Sequence, residues 1–354
     1  MVFLPISLNL IITYCNLSLL PNPWKNIIDI SLSKLAQPEL AKPLHSQRKV
    51  LLARILSAHS IVVITPDGQT VAAVTNSNQI TLWNLKTGEE INTLAGHNLP
   101  ILAIAISPNG KYLASAGHDK IIKIWNLQTG DVVHTFVGHK AWIEAIAFTP
   151  NAQTLISAGG DKTIKVWQLE TGILRDTLVG HSDSIYSIAI NRNGDMLATG
   201  SWDVIKLWNL KTGQEIRSLA SSNFGTNSLV FSLDGQSLIS GSGDSKINIW
   251  DLNTSSNPRT LIGHKAGVSS LILNLDGQKL ISGSLDNTIK IWNLKGGEEL
   301  RSFPPQSSIV ESIALSPDGQ TLISGGWGNI IKWNFNTGEE IRILRSPISW
   351  LILD

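Results

Sequence analysis

The sequence predicts an all-β fold built from seven copies of one four-stranded antiparallel unit. Tryptophans recur every 41 or 42 residues, at Trp83, Trp125, Trp167, Trp208, Trp250, Trp292 and Trp333. A turn-forming segment precedes each one, such as "SPNGKY" at 107–112. The intervening runs are rich in Ile, Val and Leu and are separated by Gly, Pro, Asn and Asp, as is typical of strands and turns. Repeats of this kind bury their faces by closing into a ring, so we expect a seven-bladed β-propeller of four-stranded antiparallel blades.

The chain before the first copy is expected to form an apolar extension and a linker, together residues 1–48. Residues 1–24 contain no Lys, Arg, Asp or Glu, but Pro5, Asn9 and Asn16 interrupt the apolar run. A membrane-spanning helix requires about 20 mainly apolar residues, and a signal peptide requires a positively charged start that this segment lacks. We expect the segment to pack on the propeller, with membrane association or export as the alternative.

The second copy shows how each unit of the domain at 49–346 is predicted to fold. Its four strands are the apolar runs at 101–107, 112–116, 121–125 and 132–137. Glycine in the connecting turns supplies the positive φ that tight antiparallel connections require. No segment of the repeats shows a sustained 3.6-residue apolar period, so no helix is expected there.

Two segments compete for the last strand position of the seventh copy. Residues 339–345 ("EEIRILR") follow Trp333 at the spacing of every other fourth strand, whereas residues 49–56 ("KVLLARIL") precede the first copy. An edge accepts one partner, and the local connection has the smaller loop-closure cost. We therefore expect 339–345 at this position, followed by a tail, 347–354, that resembles the start of a further copy.

Four side chains recur at fixed distances within the copies. In the second copy they are His97, Ser115, Asp119 and Trp125. The third and sixth copies repeat the offsets, and the fourth has one residue fewer between its aspartate and tryptophan. These further sets are His139, Ser157, Asp161 and Trp167; His181, Thr199, Asp203 and Trp208; and His264, Ser282, Asp286 and Trp292. A Ser-His-Asp hydrolase site is needed once, so four copies favour a structural role.

The repeats resemble the WD-repeat β-propeller family, and more narrowly its bacterial, cyanobacterial-type members. The resemblance rests on the tryptophan series, the recurring Ser/Thr and Asp, and Gly-His pairs at 96–97, 138–139, 180–181 and 263–264. It extends over roughly residues 50–345, although Trp250 is the one tryptophan of the series that Asp follows directly, as Trp250–Asp251. It implies that each set forms a hydrogen-bonded tetrad, in which the indole N–H donates to the hydroxyl and the histidine links that hydroxyl to the carboxylate.

Three copies depart from the tetrad pattern. The fifth has Ser222 at the histidine position, and the seventh has Gln306 there and Gly328 at the aspartate position. The first has Ala73 at the serine position, and His59 lies too close to its tryptophan to be the missing histidine. We expect the first and seventh copies to be the most weakly fastened blades.

Side chains that one copy carries and its siblings lack are the candidates for partner binding. The resemblance implies that the residue before the tetrad aspartate projects towards one mouth of the ring, and Trp202 and Trp327 occupy that position. Trp142, Glu144 and Tyr186 lie where the first strands of the third and fourth copies begin. Large aromatic side chains at a rim are typical binding anchors, although they can instead pack against neighbouring loops.

Composition excludes several kinds of site. The net charge is +1, so a strongly basic face for nucleic acid is not expected. The eight His residues and the single Cys15 show no metal-ligand spacing beyond the repeat itself, and no cofactor or phosphate-binding motif is present. A lone cysteine also excludes an intrachain disulfide, which fits a cytoplasmic, reducing location. We expect no metal, no cofactor and no nucleic acid partner.

The expected function is a non-catalytic scaffold that binds a protein or peptide partner across one face, as the resemblance implies. One alternative is a membrane-tethered or exported receptor, which depends on residues 1–24. The other is an enzyme that uses the central channel. It would require a convergent set of ionisable groups outside the repeat pattern, and the sequence contains none that we recognise.

Overall fold

A computed structural model describes residues 61–344 except for 77, 222–223, 255 and 328, and it describes only the backbone of 76 and 343. The expected extension at 1–48, the strand at 49–56 and the tail at 347–354 lie outside these residues. The part of the chain that is described contains 28 strands and no helix, and hence no helix that could span a membrane.

The strands form seven separate four-stranded antiparallel sheets, which confirms the predicted fold class. Each sheet is one blade, and strand order in the blade follows the chain. Blade one comprises β1 (Val62–Ile64), β2 (Thr70–Asn76), β3 (Gln79–Asn84) and β4 (Glu90–Ala95). Blade two comprises β5 (Ile101–Ile106), β6 (Tyr112–Gly117), β7 (Ile121–Asn126) and β8 (Val132–Val137). Blade three comprises β9 (Ile143–Phe148), β10 (Thr154–Gly159), β11 (Thr163–Gln168) and β12 (Leu174–Val179).

The remaining four blades follow the same plan. Blade four comprises β13 (Ser187–Ile190), β14 (Met196–Gly200), β15 (Val204–Asn209) and β16 (Glu215–Ala220). Blade five comprises β17 (Thr226–Phe231), β18 (Ser237–Ser242), β19 (Ile247–Asp251) and β20 (Arg259–Leu261). Blade six comprises β21 (Val268–Leu273), β22 (Lys279–Ser284), β23 (Ile289–Asn293) and β24 (Glu299–Ser302). Blade seven comprises β25 (Ser312–Leu315), β26 (Thr321–Gly326), β27 (Asn329–Asn334) and β28 (Glu340–Leu344).

The first strands of successive blades contact one another around the ring, and β1 contacts β25. These strands therefore surround the central channel, and the fourth strands lie outermost. The start of strand one, the connection between strands two and three, and the end of strand four all lie at one mouth of the ring, because the strands alternate in direction. We call this mouth the hairpin face.

The core lies between blades, which explains why the tryptophan spacing is so regular. Trp167 of blade three is buried against blade two, where its ring stacks on Phe136 with centroids 5.2 Å apart. Second strands are covered on both faces. In β6, for example, the neighbouring residues Leu113 and Ala114 point to opposite faces and both are buried. Each blade thus supplies one wall of two interblade cores, as stacked repeats require.

The ring closes between blade seven, the last blade of the described chain, and blade one, the first. β28 pairs with β27, so the segment expected from its spacing forms the fourth strand of blade seven. A mixed cluster that includes Val62, Trp83, Ile323 and Leu344 fills the interface. Hydrogen bonds also cross it. Ser312 Oγ accepts from the Val62 N–H at 3.2 Å and donates to the Val62 carbonyl at 3.4 Å. Lys332 Nζ donates to the Leu85 carbonyl at 2.7 Å, and Arg342 donates to the Thr87 carbonyl.

Replacing Arg342 by alanine is expected to loosen this closure. Arg217 makes the equivalent bond, to the Thr254 carbonyl at 2.6 Å, but its blade is covalently linked to the next one. Each substitution removes a charge-assisted bond that contributes about 1 kcal/mol. Hydrogen–deuterium exchange should show faster exchange of β1 and β28 in Arg342→Ala and not in Arg217→Ala. Equal exchange of β1 and β28 in the two variants would contradict this role for Arg342.

Ala152 marks a strained turn between β9 and β10. Its φ is 56°, whereas the six sibling turns have glycine in this left-handed conformation, at φ between 69° and 75°. We expect Ala152→Gly to raise the free energy of unfolding by about 0.5–1 kcal/mol, because relief of the strain exceeds the added entropy of the unfolded chain. Gly235→Ala is the matched control. No atom lies within 4 Å of the added Cβ, so the substitution changes only the backbone preference. A fall in the free energy of unfolding of similar size would show that the left-handed φ of the alanine causes the effect. Chemical denaturation of both variants measures the two effects.

Candidate functional site

The polar set of blade two forms a continuous hydrogen-bonded chain. The Trp125 indole N–H donates to Ser115 Oγ at 2.8 Å, and Ser115 Oγ lies 2.7 Å from His97 Nε2. His97 Nδ1 lies 2.7 Å from Asp119 Oδ2. In the tautomer that carries its proton on Nδ1, the Nδ1–H donates to the carboxylate, and Ser115 Oγ accepts from the Trp125 indole and donates to Nε2. The set therefore ties strands two and three to the loop before strand one.

Blades three and six repeat this geometry. In blade three, Ser157 accepts from Trp167 at 2.8 Å and contacts His139 Nε2 at 2.7 Å, and His139 Nδ1 lies 2.9 Å from Asp161. Burial lowers the pKa of His139, against the opposing field of the carboxylate, so the ring is neutral near pH 7. Burial also disfavours the charged form of Asp161, but bonds from the Lys140 N–H, from Thr163 and from His139 outweigh it and keep its pKa low. Blade six makes the same contacts through His264, Ser282, Asp286 and Trp292.

Blade four does not complete its tetrad, which corrects the sequence-based expectation. Trp208 donates to Thr199 Oγ1 at 2.8 Å and Thr199 contacts His181 Nε2 at 2.7 Å. Asp203, however, is exposed and accepts from Ser201 Oγ at 3.2 Å. His181 Nδ1 is the buried side-chain nitrogen that lacks a hydrogen-bond partner among the described residues. The missing bond follows from the shorter connection between strands two and three, which moves the carboxylate away from the ring.

The other three blades retain parts of the set. In blade five Trp250 donates to Ser240 at 2.9 Å, and Ser222 lies outside the described residues. In blade seven the Gln306 amide replaces histidine and donates to Ser324 Oγ at 2.9 Å. Blade one has Ala73 in place of the serine, and His59 lies outside the described residues. The serine position is thus bonded wherever a hydroxyl is present, and the histidine–aspartate half of the set is the part that varies.

Blades four and seven share an unusual hairpin that carries a tryptophan. In blades two, three, five and six the residue after the aspartate adopts positive φ: Lys120, Lys162, Ser245 and Asn287. Blade four lacks that residue, and Ser201 N donates to the Val204 carbonyl across the two-residue connection Trp202–Asp203. In blade seven Gly326 pairs with Asn329, so the connection between strands two and three again has two residues, the first of which is Trp327. Trp327 is 49% exposed.

Trp142 lies on the hairpin face of blade three and is 39% exposed. Its ring rests on Gly160, where a Cβ would lie 2.6 Å from Trp142 Cε2. The His118 ring of blade two contacts the Trp142 ring, with centroids 6.2 Å apart and planes tilted by 43°. Glu144, two residues further on, is the half-buried bulge residue of β9 beside the channel mouth. Glycine at position 160 is therefore what allows a large ring to sit beside the hairpin.

Tyr186 and Trp202 form a second aromatic pair on the same face, in blade four. Their rings meet edge to face with centroids 6.3 Å apart, and both are partly exposed. The Tyr186 N–H donates to the Gly200 carbonyl at 2.8 Å, which holds the start of strand one against the hairpin that carries Trp202. Gly225 of blade five, at φ 77°, lies beside the Trp202 ring, and a Cβ added there would be in ordinary van der Waals contact with it, 3.4 Å away.

Phe224 of blade five lies on the same face, beside the blade four pair, and was not among the residues predicted from the sequence. It is 43% exposed and immediately precedes Gly225, and its carbonyl lies over Gly243 at the hairpin of blade five. The sequence did contain a signal for it. Blades three and five both have glycine directly before the aspartate of the set, Gly160 and Gly243, and both have an aromatic residue just before strand one. Four adjacent blades therefore contribute rings to one face: His118, Trp142, Tyr186, Trp202 and Phe224.

This face offers apolar and aromatic contact area. Within residues 61–344, apart from the gaps named above, no group of three His, Cys, Asp or Glu side chains could hold a metal ion. The histidines of the tetrads are buried and engaged in bonds within their blades. What the geometry supplies is a set of rings whose positions are fixed by the hairpins below them, as binding anchors require.

A comparison with family models finds six matches to the WD40 family, described as "WD domain, G-beta repeat". They cover residues 88–126, 130–168, 172–209, 213–251, 255–293 and 297–334. Each match contains the fourth strand of one blade and the first three strands of the next, and together they span about two thirds of the chain. The first three strands of blade one, which lack the serine of the set, are not matched. No curated protein matches the chain.

Proposed function

Because the chain belongs to the WD40 repeat family, we propose that it is a non-catalytic scaffold whose hairpin face binds a protein or peptide partner. WD40 propellers commonly act as platforms for protein interaction, and the fold alone names no partner. The partner would contact the aromatic row of blades two to five, which comprises His118, Trp142, Tyr186, Trp202 and Phe224. Trp142, Tyr186 and Trp202 would be its anchors. Glu144 would flank the row at the channel mouth, and Trp327 would form a separate contact on blade seven.

The observation that carries the proposal is the arrangement around Trp202. Blade four has lost the left-handed residue of its hairpin and the histidine–aspartate bond, and both losses coincide with a tryptophan at the hairpin tip. Blade seven combines the same short hairpin with Trp327 and an altered set. Departures from an otherwise consistent repeat are expected where function, rather than folding, selects the residue.

The anchors are also suited energetically to binding. Trp and Tyr are enriched at the centres of interfaces, where loss of one commonly costs 2 kcal/mol or more. Trp142 contacts His118 and Gly160, and Trp202 packs against Tyr186, so little side-chain entropy is lost when a partner covers them.

The experiment compares proteins captured from the native source by the full-length wild type and by the Trp142→Ala/Trp202→Ala variant. We expect a partner that the wild type captures to bind the variant about 30-fold more weakly or worse, from the loss of two anchors. Gly160→Ala is a second test, because the added Cβ displaces the Trp142 ring without removing it. It should weaken the same interaction.

Leu233→Ala/Leu275→Ala is the matched control. Both leucines are exposed, at 40% and 62%, and lie in the connections between strands one and two, at the opposite mouth of the ring. This variant should bind as the wild type does, and all variants should keep the wild-type melting midpoint. Equal capture by the Trp142→Ala/Trp202→Ala variant, or loss confined to the control, would refute the assignment of the hairpin face.

A further inference from the structure

We propose that the tip of the blade four hairpin binds an arginine side chain of the partner, with Trp202 and Asp203 as the two sides of the site. The site rests on the proposed function and specifies the chemistry of what the hairpin face captures. It is indicated by a difference among the hairpin aspartates. Those of blades two, three and six have side chains that are at most 7% exposed and that bond a histidine: Asp119, Asp161 and Asp286. Asp203 is exposed to solvent.

The Asp203 carboxylate has no cationic neighbour in the described part of the chain. It accepts from Ser201 Oγ at 3.2 Å, and no described Lys, Arg or His nitrogen lies within 4 Å of it. The lysine of the next strand, Lys206, is bonded to Glu215 at 2.7 Å. Asp203 is therefore a surface carboxylate whose charge a ligand can neutralise.

The exposed position of Asp203 leaves a buried group unsatisfied. His181 Nδ1 corresponds to the ring nitrogens that bond the carboxylate in the complete tetrads, and it has no partner among the described residues. An unpaired buried polar group costs stability. A loss of this kind in an otherwise consistent repeat is expected where the exposed carboxylate itself is required for function.

Trp202 supplies the other side of the site. It forms the two-residue connection together with Asp203, so the two Cα atoms are about 3.8 Å apart. The indole is partly exposed and packs edge to face against Tyr186. A guanidinium suits this pair, because it stacks on an aromatic ring and presents a planar fork of N–H donors to a carboxylate.

The charges around the tip favour a cation. Lys162 reaches the loop before strand one of blade four, where its Nζ donates to the Ser182 carbonyl at 2.6 Å. Asp183, the next residue of that loop, offsets this charge, which leaves the charge of Asp203 uncompensated. Blade seven offers a comparison within the chain. Its short hairpin also carries a tryptophan, Trp327, but glycine follows it, so this second tip should show no preference for a cation.

Selection from a random-peptide library displayed on phage, with the full-length chain as target, tests the site. We expect the selected peptides to share an arginine. Replacing that arginine by citrulline, its neutral isostere, should weaken binding at least about tenfold in isothermal titration calorimetry, because the charge-assisted bonds to Asp203 are lost. Lysine in its place should bind between these two, since it keeps the charge and lacks the planar fork.

Asp203→Asn should weaken binding of the arginine peptide to the same degree and should leave binding of the citrulline peptide unchanged. Asp276→Asn is the matched control. Asp276 is exposed and lies in the connection between strands one and two of blade six, at the opposite mouth, so this variant changes the net charge equally and should bind as the wild type does. Both variants should keep the wild-type melting midpoint, because Asp203 has one described bond.

Peptides without a shared arginine, equal binding of the arginine and citrulline peptides, or equal effects of Asp203→Asn and Asp276→Asn would each overturn the arginine site. Peptides that bind the Trp142→Ala/Trp202→Ala variant as tightly as the wild type, or a selection that yields no binder, would overturn the proposed function as well. Peptides that are lost in that variant and indifferent to Asp203→Asn would overturn the arginine site alone.

Discussion

Asp286→Ala is expected to lower the free energy of unfolding by about 3 kcal/mol, and Asp203→Ala to change it little. The Asp286 carboxylate accepts from His264 Nδ1 at 2.9 Å, from the Lys265 N–H at 2.8 Å and from Thr288 Oγ1 at 2.6 Å. Removing it leaves the Lys265 N–H, the Thr288 N–H and Thr288 Oγ1 without this acceptor, and the buried His264 Nδ1 is left with Thr288 Oγ1, at 3.3 Å, in place of a carboxylate. One such loss costs about 1–3 kcal/mol, and a charged acceptor puts the sum towards the upper end.

Asp203 occupies the corresponding position in blade four but makes none of these bonds. Its one described partner is Ser201 Oγ at 3.2 Å, and it is exposed. The two variants therefore remove the same side chain from a complete and an incomplete tetrad. Urea denaturation of both, with the same measurement on Asp161→Ala as a second complete case, gives the comparison. Losses of equal size for Asp286 and Asp203 would mean that the carboxylate acts through something other than the histidine bond.

Features that depend on local spacing could be predicted from the sequence. The seven blades follow from the tryptophan interval, and the bonds of His97, His139 and His264 follow offsets that are the same in each copy. The fourth strand of blade seven could also be placed, because 340–344 follows Trp333 directly in the chain. Each of these depends on contacts within one blade, where sequence distance and spatial distance correspond.

Features that depend on turn geometry or on distant contacts could not be predicted. The sequence shows that copy four is one residue short. The structure adds that the missing residue is the left-handed one after the aspartate. Without it the connection has two residues, Trp202–Asp203, and the carboxylate does not reach His181. The contact of Arg342 with Thr87 joins the two ends of the described ring, and no local pattern signals it. The exposure of Phe224 depends on how Gly225 and Gly243 bring two loops together.

His181 is expected to make the protein sensitive to mild acid. Burial, reinforced by the nearby Lys206 ammonium, lowers the pKa of His181 from 6.5 to about 4, against weaker opposing effects of Glu215 and Asp203. The folded chain therefore keeps this ring neutral between pH 6.5 and 4, while the unfolded chain takes up a proton. Because the unfolded state binds more protons in this window, the free energy of unfolding falls as the pH falls, by about 3 kcal/mol in all from this residue.

Insertion of one asparagine between Asp203 and Val204 should remove much of that sensitivity. Asn287 holds the equivalent left-handed position in blade six, at φ 71°, and there the preceding aspartate reaches its histidine. With the hairpin restored to this length, the Asp203 carboxylate should approach His181 Nδ1, favour the protonated ring and raise its pKa from about 4 towards 6.5. Urea denaturation at intervals between pH 7 and pH 4 should give a flatter profile than that of the wild type. The same insertion combined with Asp203→Ala restores the hairpin but not the carboxylate, so its profile should stay as steep as the wild-type one. If both insertions flatten the profile equally, the sensitivity arises from the short hairpin and not from the unpaired histidine.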